Sequence, residues 1–298
     1  MTHCKAGFHP PHEQEHLISS KFVSQVYRIK ILRPMSRADD TERFPVLYVT
    51  DSDELFGGFA NLATMLQTHG EVRRFILVGI GYENPHSAPL LRMRDFHTHA
   101  TRSLFMTETR QLADSSLAAG VDDLKTITHT TDALEFLRFI REELMPYVEA
   151  LYPVLPGENS YCGFSAGGGF GLYTLFTKPE TFKRYILSSP TTSYGGHHFG
   201  IELARAFIGS GSRINAKVFI SVGELEEFKR GFTQFDLVTG YYLLAKFLQK
   251  SALPGLDLKL QVFPGETHAT AWILAFSHGV RVLFGPPDQV PFWPDFLK

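Results

Sequence analysis

Ser160-Tyr161-Cys162-Gly163-Phe164-Ser165-Ala166-Gly167-Gly168-Gly169-Phe170-Gly171-Leu172 is the stretch on which the fold turns. Its first residues are strand-like, and its last begin an apolar helix rich in small side chains. Between them lies Gly163-Phe164-Ser165-Ala166-Gly167, a match to G-x-S-x-G. A serine perched on a sharp strand-to-helix turn needs small residues on either side, because the helix packs hard against the strand it leaves. Five residues alone would be weak support, and a glycine-rich turn with an incidental serine is the plain alternative. The flanking strand and helix signals favour the sharp turn.

Working outward, the chain alternates between two periodicities. Residues 44–49 and 75–80 are continuous apolar runs, as expected of strands covered on both faces. Residues 57–68 show helical spacing through Phe59, Leu62, Met65 and Leu66. Residues 132–151 read as a long amphipathic helix, with Asp132 and Glu135 forming a capping box and Pro146 expected to kink it. Strands at 160–164, 185–187, 218–222 and 258–263 then alternate with helices at 166–176, 201–208, 235–249 and 269–284. Such alternation predicts an α/β fold: a mostly parallel sheet with helices on both faces. Residues 27–31 alternate apolar and polar up to Pro34 and suit an antiparallel N-terminal edge.

The 298 residues therefore read as a single α/β domain over 17–285, without a linker-like break. A long polar insertion at about 83–130 interrupts it, and loops of that length in compact domains are usually functional. Residues 1–16 read as a flexible lead-in, and 286–298 as a proline-rich tail holding Pro286, Pro287, Pro291 and Pro294. The lead-in histidines, His3, His9, His12 and His16, have mixed spacing and no accompanying cysteine or carboxylate pattern, so no metal is expected there.

Composition narrows the function classes. Twenty-nine basic against 31 acidic side chains give a net charge of −2, which lacks the basic surplus nucleic-acid binding needs. Hydrophobic residues at 44% and charged residues at 20% exclude a disordered chain. No apolar window approaches a membrane span, and the first thirty residues hold no signal-like stretch. The expectation is a cytoplasmic protein with reduced Cys4 and Cys162 and no membrane partner, with homo-oligomerisation left open. Asp51 and Asp53 lack the glycine turn and closing glutamate of a calcium loop, so neither metal nor cofactor is expected.

The serine turn is the nucleophile elbow of acyl-transfer enzymes. Serine is a poor nucleophile until a histidine takes its proton and an acid orients that histidine. Where the elbow occurs, these follow in the order serine, acid, histidine. His197 and His198 come too soon, and His278 lies within the last helical pattern. His268, in Gly265-Glu266-Thr267-His268, falls between the last strand and the last helix, at the carboxyl edge of the sheet. Glu224, Glu226 and Glu227 compete for the acid after the 218–222 strand; Glu226 is preferred for its place past Gly223, with Glu224 second. The oxyanion donors should be backbone N–H groups: Ala166, and Asp53 or Ser52 after the 44–49 strand. Arg92, Arg94 and Phe96 of the insertion, together with Tyr194, are candidate pocket residues. The chain carries 26 phenylalanines, of which Phe56, Phe59 and Phe96 are placed to line an apolar acyl site.

Taken in order, Pro45-Val46-Leu47-Tyr48-Val49-Thr50-Asp51, Gly163-Phe164-Ser165-Ala166-Gly167-Gly168, Ser188-Ser189-Pro190, Val222-Gly223-Glu224-Leu225-Glu226 and Gly265-Glu266-Thr267-His268 resemble the Putative esterase family of α/β-hydrolases. That family takes in esterase D (S-formylglutathione hydrolase), feruloyl esterases, mycolyltransferases and enterochelin or siderophore esterases. The likeness is greatest to the siderophore-esterase type and runs from about residue 22 to 284. It implies an α/β-hydrolase fold and a serine carboxylesterase that hydrolyses small or short-chain esters through an acyl-enzyme. In esterase D the acid lies three residues past a glycine, which supports Glu226. The family's Asp-Gly in the oxyanion loop is Asp51-Ser52 here, and Thr191-Thr192-Ser193-Tyr194 stands where aromatic residues are common. A catecholate-lactone siderophore esterase and an acyltransferase are the related alternatives. A non-catalytic binding module is the unrelated one.

Overall fold

A computed structural model describes residues 8–9, 11–37, 41–111, 132–194, 196–228 and 235–285. The main sheet is built from β1 (His12–Ser20), β2 (Gln25–Arg33), β3 (Phe44–Val49), β4 (Ile76–Tyr82), β5 (Val154–Phe164), β6 (Arg184–Ser188), β7 (Ala216–Gly223) and β8 (Leu256–Phe263). Every residue of β3 and β4 is buried, as their unbroken apolar runs require. The spatial order is β8-β7-β6-β5-β3-β4-β2-β1. All pairings from β4 to β8 are parallel, while β2 runs antiparallel to both β4 and β1.

Helices α1 (Ser52–Thr68) and α9 (His268–Phe284) cover one face of this sheet, burying Leu47, Leu77, Cys162, Ile186 and Phe219. The other face holds Tyr27, Val46, Tyr48, Tyr161 and Tyr185. Over it lie α2 (Ala88–Asp95), α4 (Ala133–Arg138), α5 (Met145–Leu151), α6 (Ala166–Thr177), α7 (Phe199–Gly209) and α8 (Leu237–Ser251), while α3 (His99–Gln111) packs through Phe105 against Tyr194 in a separate small cluster. Among the described residues, no helix is long and apolar enough to cross a membrane.

Strand order reverses at β3, which pairs with β4 on one side and β5 on the other. A crevice opens beyond the carboxyl ends of the strands at such a reversal, and this is where ligands bind open α/β sheets. The register brings those ends level: Phe164 pairs with Ser188, Ser188 with Ser221, and Gly223 with Phe263.

Several boundaries differ from the sequence expectation. Residues 12–16, read as lead-in, form the first half of β1, an edge strand whose alternating polar residues hid it. The edge is therefore β1, and 27–31 lies one strand further in. His16 of β1 is wedged between two tyrosines, its ring nitrogens 3.0 Å from the hydroxyls of Tyr147 and Tyr152. The first helix starts at Ser52 rather than at 57, immediately after Asp51 in the left-handed region at φ 57°. The 132–151 helix is not a uniform α-helix. Instead residues Phe139–Leu144 form a widened π turn in which Met145 N–H reaches the Ile140 carbonyl, and Pro146, lacking an N–H, opens α5. The capping box of Asp132 and Glu135 is present.

Phe56 and Phe59 are core residues, not pocket residues. Phe59 stacks on Phe276 of α9 at 4.0 Å, and the Phe56 ring fills the space over Gly79 of β4. Each such burial contributes about 1.5–3 kcal/mol. Part of the 83–130 insertion is α2 and α3; residues 112–131 lie outside the described residues, as do Cys4, His3 and the 286–298 tail.

Candidate active site

Ser165 caps α6 with φ 56° and ψ −120°, a conformation that non-glycine residues avoid. Its backbone is over-determined: its N–H donates to the Ser188 carbonyl at 2.9 Å, and its carbonyl accepts from Gly169 and Thr191, each at 3.0 Å. The flanking glycines answer to close packing. A Cβ on Gly163 would run into the backbone of Gly167, and one on Gly167 would lie 2.6 Å from Thr50 Oγ1. Tyr161 secures the same junction by donating to the Gly167 carbonyl at 2.7 Å, with its hydroxyl 3.1 Å from Thr50 Oγ1.

The acidic turn after β7 sorts its three glutamates by environment. Glu226 is buried, and its Oε1 accepts from the Gly223 N–H at 2.6 Å and from the Ser189 hydroxyl at 2.5 Å. Its Oε2 lies 2.6 Å from His268 Nδ1. Glu224 is exposed and accepts from the Gly265 N–H at 2.9 Å, tying two loops together. Glu227 caps α8 by accepting from the N–H and hydroxyl of Thr239. Of the three, only Glu226 meets the histidine. A carboxylate on Nδ1 fixes that nitrogen as the N–H and leaves Nε2 as the proton acceptor.

His268 opens α9 behind the N-cap Thr267, which exchanges hydrogen bonds with Thr270. The ring of Phe164, one residue before Ser165, packs on its imidazole at 4.4 Å. Ser165, Ala166 and His268 line one cleft of about 490 Å³. Asp51, Asp53 and Arg92 form another part of its wall. Ala166 and Ser52 begin helices whose first N–H groups have no carbonyl behind them, so two helix N-termini bring free donors to this edge. Asp53 lines the cleft, whereas the Ser52 side chain is buried toward Gly79 and Gly81.

The insertion residues part company. Arg92 reaches the cleft and holds Asp51. Arg94 does not: it is buried, 2.6 Å from Asp95, whose other oxygen accepts from Tyr27 and Tyr82. Burial disfavours its charge, but the Asp95 carboxylate outweighs that and holds the guanidinium above its ordinary range. Its place beside Arg92 in sequence hid this, because neighbours on a helix point in different directions. Phe96 is buried against Phe136 and Phe170. Tyr194 lines the cleft, its hydroxyl 2.6 Å from His97 Nε2. Sequence reasoning missed Ser189, for which the only signal was its place in the Ser188-Ser189-Pro190 motif. It also missed His97.

A family model described as Putative esterase matches residues 104–283, more than half of the chain. The chain belongs to this esterase family. The esterase is accordingly a hydrolase with the α/β fold derived above. It is 27% identical over 285 residues to the ferri-bacillibactin esterase BesA of Bacillus subtilis, spanning 94% of this chain and 92% of that one. It is 35% identical over 98 residues to the siderophore enterobactin esterase of Emericella nidulans, a match covering 32% of each. Among solved structures, the esterase is similar to the siderophore hydrolase EstB of Aspergillus nidulans, with a TM-score of 0.74 and 18% identity over 92% of this chain and 95% of that one.

Proposed function

We propose that the esterase cleaves carboxylic esters through a serine–histidine–glutamate triad and that its substrates are siderophore-type esters. The observation that carries the catalytic reading is the buried Glu226 carboxylate 2.6 Å from Nδ1 of His268, a residue that lines the same cleft as the strained Ser165. Ser165 attacks the ester carbonyl carbon while His268 Nε2 takes its proton. Glu226 keeps the imidazole oriented and stabilises its charged form without itself becoming protonated. The oxyanion is held by the backbone N–H of Ala166 and by that of Asp53 or Ser52. Collapse expels the alcohol, which receives the proton from His268. Water then repeats the sequence on the acyl-enzyme and releases the acid.

The substrate reading is supported by relatives named as siderophore esterases. It is also supported by a cleft of about 490 Å³, larger than an acetyl or butyryl ester needs. The competing reading is a general short-chain carboxylesterase. Hydrolysis of a cyclic catecholate trilactone should be compared with that of p-nitrophenyl acetate, butyrate and octanoate, using wild type and Ser165→Ala. Trilactone cleavage with the higher kcat/KM, abolished in Ser165→Ala, is expected. A preference for the acetate or butyrate would favour the short-chain reading, and full activity of Ser165→Ala would remove the nucleophile.

A further inference from the structure

A second pocket of about 340 Å³ lies beside the cleft, between α6, α7 and the α2–α3 junction of the insertion. It touches the reaction centre directly: Ala166 and Thr191 line both spaces. Elsewhere the two spaces are walled by a hydrogen-bonded pair. His97 lines the pocket, Tyr194 lines the cleft, and their polar atoms meet at 2.6 Å with the rings stacked at 5.8 Å.

The two linings differ in kind. The cleft carries Asp51, Asp53, Glu54 and Arg92. The pocket is walled by Phe96, Leu104, Tyr173, Phe199, Leu203 and Ala206, with threonines between them. Its sole formally charged lining residue is Glu202, which is exposed at the rim. Such a lining stabilises an uncharged apolar group and, with a carboxylate at the mouth, disfavours an anion.

Resting on the reading of Ser165 as nucleophile, we propose that this pocket is a second substrate subsite, binding an uncharged aryl or alkyl substituent on one side of the scissile ester while the polar cleft takes the other. The carbonyl then sits over Ser165 at the shared Ala166–Thr191 boundary, and the His97–Tyr194 pair keeps the two substituents apart. Binding at a remote substituent of this kind holds the reacting carbonyl in place, so filling the pocket penalises large esters selectively.

Ala206 is exposed on α7, so Ala206→Trp fills the pocket without disturbing the core. Two matched pairs read the two sides of the ester: methyl acetate against methyl benzoate, and methyl acetate against 2-naphthyl acetate. Ala206→Trp should raise KM about tenfold or more for the aryl member of one pair, with kcat/KM for the small members within about twofold of wild type. Leu203→Ala, which enlarges the pocket, should shift the same pair the other way. Unchanged aryl selectivity in both variants, or equal losses on small and aryl esters, would overturn the subsite. The nucleophile reading fails separately, if Ser165→Ala retains turnover of p-nitrophenyl acetate.

Discussion

Arg92 grips Asp51 through two hydrogen bonds, 2.9 Å from Nε and 3.0 Å from Nη2. Asp51 is held at φ 57° where β3 turns into α1, a strain of about 1–3 kcal/mol that needs external support. Arg92 supplies it from the insertion, with its guanidinium over the ring of Phe96 at 5.4 Å. Burial opposes the charge of Arg92, but the Asp51 carboxylate outweighs it and raises its pKa. The pair thus fixes the turn from which the Ser52 and Asp53 N–H groups emerge. Arg92→Met should lower kcat for p-nitrophenyl acetate about tenfold to a hundredfold with KM little changed, the signature of a loosened oxyanion site. Arg92→Lys should recover little, since an ammonium cannot make the paired contact. A raised KM at unchanged kcat would instead make Arg92 a substrate contact.

The turn after β7 permits a direct comparison of two neighbouring acids. Glu226→Gln places an amide against His268 Nδ1 and the Ser189 hydroxyl, favouring the wrong imidazole tautomer. Its kcat should fall about a thousandfold or more. Glu224→Gln alters only an exposed contact to the Gly265 N–H, and its kcat should stay within about twofold of wild type. Steady-state kinetics of the two variants side by side decide the matter. A larger loss at Glu224 would reverse the assignment.

What could be read from sequence, and what could not, follows from the range of the interactions. The buried strands announced themselves because a strand covered on both faces must be apolar throughout, as β3 and β4 are. The elbow was legible because Gly163 answers to the Gly167 backbone within the same five residues, although Gly167 itself answers to the distant Thr50. The choice of Glu226 over Glu224 rested on its distance past Gly223, and the fold sends only that side chain inward to His268. The edge strand β1 was missed because an exposed strand can be polar, and polar residues 12–16 look like tail. Arg92 and Arg94 were indistinguishable in sequence; one lines the cleft and the other is buried on Asp95. That difference, like the partnership of His97 with Tyr194, is set by contacts between segments far apart along the chain.

His97 offers a test through stability rather than turnover. Its ring is buried, and its pKa is pushed from an ordinary 6.5 down to about 3, mainly by burial, with the nearby charges of Arg92 and Arg102 adding to it. Above pH 6.5 both the folded and the unfolded chain hold the ring neutral, so the group is silent. Between about pH 6.5 and 3 the unfolded chain binds a proton that the folded one does not, and folding stability declines by about 1.4 kcal/mol per pH unit from this group. Other acids and histidines titrate over the same range, so the readout is a difference between two proteins. Urea unfolding of wild type and His97→Gln should be followed from pH 7 to 4.5. The variant keeps a side chain able to hydrogen-bond Tyr194 but has no proton to gain. Its stability should therefore fall less steeply on acidification, and the two curves should converge as pH drops. Curves that run parallel would mean that the folded protein protonates His97 as readily as the unfolded chain does. That would remove the neutral, buried partition between the cleft and the second pocket.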